Sequence, residues 1–193
     1  QPNLALADKS LDANFFQHAP YLENFMSEHS DVKLANAGGI HIEPMGIYSK
    51  KIKSLNELKD GASIALPNDP TNGGRSLLLL EKAGLLKLKD GVGVKATVQD
   101  ITENPKHLQF KEVEAAQVPR TLDDVDAAVI NTNFAMQVNL VPTKDALLME
   151  DSTSPYVNIV AVRAGDESRP EIQALMKALK SDEVKQFIND KYK

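Results

Sequence analysis

The 193 residues contain no cysteine and no tryptophan, and aromatic side chains make up only 5% of the chain. Without cysteine there is no disulfide scaffold, no thiolate zinc site and no cysteine nucleophile, a composition that fits any compartment. The shortage of rings argues against a stacking platform for single-stranded nucleic acid. No apolar run approaches the ~20 residues of a membrane span. Positive charge is nowhere concentrated: the net charge of −5 divides into −4 over residues 1–49, −2 over 50–155 and +1 over 156–193. A phosphate backbone therefore finds no basic stripe, and nucleic acid is not an expected partner. Gln1-Pro2 carries neither an initiator Met nor a basic and apolar leader, and Leu4-Ala5-Leu6-Ala7 resembles the interior of a domain, so the natural chain is expected to begin earlier. What is present, 42% hydrophobic and 25% charged residues, is a globular composition long enough for one large domain or two small lobes.

Strand and helix signals alternate along the chain. Phe16, Ala19, Leu22 and Met26 recur at spacings of three and four, which predicts a helix over 13–26, with Pro20 forcing a turn or a restart near residues 18–21. Residues 32–37 and 40–48 read as extended, punctuated by Gly38-Gly39, and 61–66 as a buried strand after a helical turn at 55–59. The run Asn68-Asp69-Pro70-Thr71-Asn72-Gly73-Gly74 reads as a loop, followed by a helix over 75–83 that stops at Gly84. Strands are expected at 93–99, 108–113, 126–130 and 156–163, and helices at 119–122, 134–138, 171–179 and beyond Ser181. This alternation predicts an α/β protein with largely parallel sheets.

Four groups of residues carry candidate chemistry. Amides at the end of the 68–74 loop, with Arg75 beside them, suit an anion, and the Arg fork matches a carboxylate; the alternative is a plain strand-to-helix turn. Phe15, Phe16, His18 and Tyr21 place four rings in seven positions, which suits a pocket for an apolar or thioether group or, equally by spacing, a core helix with Phe16 buried. His41 and Glu43 fall on one face of a strand and, with His18 and His29, permit a metal reading against that of an ordinary strand edge. Asn131, Asn133 and Asn158 lie in or at the ends of predicted strands, and each offers a donor and an acceptor to a zwitterion, or caps the next helix. There is no G-x-S-x-G nucleophile motif and no dinucleotide fingerprint at Gly91-Val92-Gly93.

Long stretches at 11–18 (LDANFFQH), 38–49 (GGIHIEPMGIYS), 64–75 (IALPNDPTNGGR), 126–133 (DAAVINTN) and 154–160 (SPYVNIV) closely resemble the NlpA lipoprotein family, methionine-binding lipoproteins of bacterial ABC importers. The resemblance implies a periplasmic-binding-protein fold, α/β, with two lobes joined by two crossing segments and a ligand cleft between them. Lobe 1 is then 1–49 with 156–193, and lobe 2 is 50–155. It implies a non-enzymatic carrier without a cofactor that captures L-methionine or a close relative outside the cytoplasm and delivers it to an ABC permease. It also implies a lipid anchor, a first strand and a first helix preceding Gln1. Carried onto this sequence, Arg75 pairs with the ligand carboxylate, Asn133 and Asn158 hold the amino-acid head group from opposite lobes, and Phe16, His18 and Tyr21 surround the side chain. Two departures touch this set: Phe15 stands where the family often has Tyr, and Thr132 and Phe134 where it often has Gly and Tyr. The alternative cargo is a metal ion held by His18, His41 and Glu43. An effector-sensing module on the same fold is disfavoured by the absence of a DNA-binding segment from this sequence, and a small enzyme acting on amino acids by the lack of an assembled nucleophile or acid–base pair.

Overall fold

A computed structural model describes residues 1–151 and 154–191. The chain divides into two compact units, Gln1–Glu43 with Thr153–Lys193, and Pro44–Ser152. The first boundary falls six residues earlier than the expected 49/50. The short strand Gly46–Tyr48 is zipped antiparallel to Ala127–Ile130 on one side and to Leu148–Met149 on the other. Its Ile47 and Tyr48 are fully buried in the second unit, so the strand belongs there.

The first unit is built on a three-stranded sheet in the order Asn14–His18, Val157–Arg163, Leu34–Ile42. Alternate residues of the central strand face opposite layers, as a period of two requires. Ile159 and Ala161 pack with Leu6, Leu22, Val32 and Leu34, whereas Val160 and Val162 meet Ile172 and Met176 of the helix Pro170–Leu179. The sheet is antiparallel throughout, which corrects the expectation of largely parallel sheets. The outer strands, joined through the helix Ala19–Glu28, do run the same way, but the returning strand inserts between them and pairs antiparallel with both.

The predicted helix over 13–26 is a strand followed by a helix. Asn14 and Gln17 are buried and hydrogen-bonded to one another and to Asn3, at 2.7–2.9 Å, which satisfies their buried polar groups. The helix starts only at Ala19, with Pro20 in its first turn, where the missing N–H costs nothing. Phe16 is exposed, so the buried-core reading of that ring is wrong.

The second unit carries a five-stranded mixed sheet in the order Gln109–Val113, Ser63–Pro67, Ala127–Ile130, Gly46–Tyr48, Leu148–Met149. Only the pairings among the first three strands are parallel, and Gly46–Tyr48 pairs antiparallel on both sides. The segment expected as a strand over 93–99 forms two short 3-10 turns, Gly93–Lys95 and Val98–Asp100, the second closed by a reciprocal Thr97–Asp100 capping box.

Asp126 ties two of the parallel strands together. Its Oδ2 accepts from the Ser63 backbone N–H at 2.8 Å and from the Ser63 hydroxyl at 3.0 Å. The Ser63 backbone bond leads the interactions that hold the Asp126 carboxyl below the usual aspartate range. A depressed folded-state pKa adds stability that is fully present above the unfolded value and is lost as pH falls through the folded one. The side chain is partly solvated, so the term is small. Asp126→Asn is expected to melt slightly below wild type at pH 7, with the gap closing below about pH 4, as thermal unfolding followed by circular dichroism across pH would reveal.

Candidate functional site

In the first unit, the strand–helix junction gathers rings. His18 ends its strand, and its Nδ1 accepts the Tyr21 backbone N–H at 3.1 Å, capping the helix that follows. A neutral ring that accepts through Nδ1 carries its proton on Nε2. Around it, Tyr21 lies edge-on with centroids 6.1 Å apart and Tyr156 at 5.0 Å, while Phe16 meets Tyr21 at 6.1 Å. Phe16, His18 and Tyr21 are thus brought together, and Asn158 joins them as the cross-strand partner of His18.

On its other side Asn158 pairs with His41, so His18 and His41 are separated by the whole central strand, roughly 9–10 Å at the usual strand spacing. His41 instead sits 2.8 Å from Glu43 through Nε2. The three residues of the metal alternative therefore do not form one ligand set, and among the described residues no group of three or more His, Asp or Glu side chains is placed to hold a metal ion.

In the second unit the helix Pro70–Lys82 begins five residues before the expected start. Asp69 is its N-cap, Oδ1 accepting the Asn72 backbone N–H at 3.0 Å, and Pro70 follows. Its glycines, the fourth and fifth residues of the helix, lie within it rather than in a loop. The anion reading based on open loop amides is corrected accordingly, because Asp69 already serves the helix N-terminus. What remains for an anion is Arg75 itself, only 3% exposed.

Arg75 meets Glu150 with two parallel bonds, Nε to Oε1 at 2.8 Å and Nη2 to Oε2 at 2.5 Å. Glu150 Oε2 also accepts the Met45 backbone N–H at 2.9 Å, and the Glu150 backbone N–H donates to the Met45 carbonyl at 2.9 Å. One turn before Arg75, Asn72 directs its amide N–H groups onto the Asp69 carboxylate at 3.0 and 3.1 Å and accepts from Asn131 Nδ2 at 2.9 Å. The direction of this chain is fixed by Asp69, which can only accept. Asn131 therefore turns its Oδ1 the other way, buried and without a hydrogen-bond partner among the described residues. Asn131 occupies the N-cap position of the helix Thr132–Gln137 but makes no side-chain cap bond, so the capping reading fails. Asn133 sits exposed on that same helix.

Glu150, Asn72 and Tyr156 were not legible as partners of these groups. Tyr156 alone carried a local signal, standing two residues before Asn158 at the same strand parity. Glu150 is 75 positions from Arg75, a separation that only the fold bridges.

The profile of the family described as NlpA lipoprotein matches residues 1–193. A probable D-methionine-binding lipoprotein MetQ of Vibrio cholerae is 52% identical over 183 residues, 95% of this chain and 68% of that protein. A nutrient-binding protein from Burkholderia cenocepacia, solved bound to methionine, superposes with a TM-score of 0.97 at 53% identity, covering 100% of this chain and 80% of that one. An ABC transporter periplasmic substrate-binding protein from Coxiella burnetii gives 0.95 at 49% identity, covering 98% and 80%. With a match of this length and identity, the chain belongs to the NlpA lipoprotein family.

Proposed function

We propose that this chain is the substrate-binding lipoprotein of an ABC importer, a non-enzymatic carrier that captures methionine outside the cytoplasm and passes it to the permease. The observation that carries this reading is the likeness along the whole chain, at 53% identity, to a protein solved with methionine bound. The side chains support it chemically. The Arg75 fork suits a carboxylate, amide oxygens of Asn133 and Asn158 suit an ammonium group, and the edges of Phe16, His18 and Tyr21 suit a thioether sulfur. Burying the methionine side chain contributes about 1.5–3 kcal/mol, and each charge-assisted hydrogen bond about as much again. Less the cost of association, such contacts reach micromolar to nanomolar affinity, about −8 to −12 kcal/mol.

Thermal unfolding of refolded, ligand-free protein with 1 mM L-methionine, and in parallel D-methionine, tests the reading. A Kd of about 1 μM would add ~4 kcal/mol by mass action, raising the midpoint by roughly 8–16 °C for a chain of this size. The shift is expected to survive a chelator. A midpoint that moves with Zn²⁺ and not with either enantiomer would overturn the assignment of cargo.

A further inference from the structure

We propose that Gln17 is a positioning residue for the pocket that takes the methionine side chain. With Asn3 and Asn14 it holds a one-residue β-bulge at Phe16, which keeps that ring out of the core and sets His18 opposite Asn158. The proposal rests on the reading in which Phe16, His18 and Tyr21 surround the ligand side chain.

The strand register shows the bulge. Asn14 pairs with Ala161 and Phe15 with Val160, but Gln17 pairs with Ile159 and His18 with Asn158, so Phe16 is the extra residue. Uninterrupted pairing from Asn14 would set Phe16 opposite Ile159, Gln17 opposite Asn158 and His18 opposite Val157. Ile159 packs with Leu6 and Leu22, so Phe16 would then enter the core, whereas it is 44% exposed. A slip of one residue turns every later side chain to the other face. His18 would leave the side of the sheet that it shares with Asn158 and Tyr156.

A ring of buried amides opposes that slip. Residues three apart in a regular strand point to opposite faces, yet Asn14 and Gln17 meet on one face because the bulge lies between them. There Asn3 Oδ1 accepts from Asn14 Nδ2 at 2.9 Å and from Gln17 Nε2 at 2.7 Å. Asn3 Nδ2 donates to Gln17 Oε1 at 2.9 Å, and Gln17 Nε2 also donates to Asn14 Oδ1 at 2.8 Å. All three side chains are buried. The slip would carry Gln17 to the other face and take these partners from Asn3 Nδ2 and Asn14 Oδ1, a desolvation cost set against the burial of one more phenylalanine. A satisfied buried network of this kind specifies one arrangement where apolar packing alone would allow two.

The test titrates L-methionine and L-alanine, which share the amino-acid head group and differ in side chain, into wild type and Gln17→Glu by calorimetry, with alanine measured by competition. The carboxylate in Gln17→Glu cannot donate to Asn3 Oδ1 or Asn14 Oδ1 and is repelled by both, and the slip turns it outward. Wild type is expected to prefer methionine by about 10-fold or more. In Gln17→Glu, methionine affinity is expected to fall by about 10-fold and alanine affinity by less than about twofold, since Asn158 and the central strand stay in place. The nuclear Overhauser contact between the rings of His18 and Tyr156, whose centroids are 5.0 Å apart, is expected in wild type and absent from the variant. Asn3→Ala, which removes the hub of the amide ring from outside the strand, is expected to act in the same direction and serves if Gln17→Glu does not fold. Equal losses for both ligands would mean a merely structural role, and an unchanged ring contact with unchanged methionine affinity would mean that the bulge does not depend on the amides; either overturns the proposal. A wild type that binds methionine and alanine alike would remove the rings from the site and the proposal with them, a failure visible before any variant is made.

Discussion

Arg75→Ala is expected to abolish measurable methionine binding and, separately, to destabilise the second unit by about 3–5 kcal/mol, because truncation leaves the Glu150 carboxylate buried without its cation. The two losses have different physical origins and can be pulled apart. The double variant Arg75→Met with Glu150→Leu removes both charges and fills the same volume, an exchange that is often neutral or better for stability. It is expected to melt near wild type and still not bind methionine. Melting curves with calorimetric titration of each variant check both halves. An Arg75→Ala protein that binds methionine as wild type does would remove Arg75 from the site.

The local half of this arrangement was legible from the sequence, and the distant half was not. Phe16, His18 and Tyr21 lie within six positions of one another, and the turn from strand into helix at residues 18–19 gathers the three rings. The cluster is a local feature of that junction, and of the predicted helix over 13–26 the part after the expected restart near 18–21 does form, from Ala19. The strand over its first part has a tertiary cause, the pairing of residues 14–18 with the strand Val157–Arg163, while Ala19, Leu22 and Met26 keep their helical spacing on Ala19–Glu28 and pack into the first unit's core. The start of the Pro70–Lys82 helix was written in Asp69-Pro70, an N-cap followed by a first-turn proline, but the run of Asn and Gly around it reads as a loop by composition. Parallel or antiparallel pairing is not encoded by alternation alone, since it depends on which strand returns between two others. The Arg75–Glu150 and Asn72–Asn131 contacts join segments 75 and 59 residues apart, and no spacing rule reaches so far within a single sequence.

Gly73 and Gly74 show why composition misled, and the second of them carries the other large expected effect. In an exposed helical turn, Gly→Ala stabilises by about 1 kcal/mol through helix propensity. At Gly74 an added Cβ would lie 2.3 Å from the Val94 carbonyl oxygen and 2.9 Å from its carbon, both backbone atoms of the 3-10 turn Gly93–Lys95. Neither can rotate aside, so the helix and the turn must separate. Gly74→Ala is expected to destabilise by about 3 kcal/mol or more, opposite in sign to propensity. At Gly73 the nearest neighbour of an added Cβ is the Pro67 carbonyl oxygen at 3.1 Å, a contact relieved by a few tenths of an ångström, and Gly73→Ala is expected to fall within about 1 kcal/mol of wild type. Chemical denaturation of the two variants side by side separates propensity from packing, and a stabilised Gly74→Ala would show that the close approach is absent in solution. Gly74 also lies directly before Arg75 and two positions after Asn72 in the helix Pro70–Lys82. A helix pushed off the Gly93–Lys95 turn carries both side chains away from Glu150 and Asn131, so weakened methionine binding is expected to accompany the lost stability, although Gly74 has no side chain with which to touch a ligand.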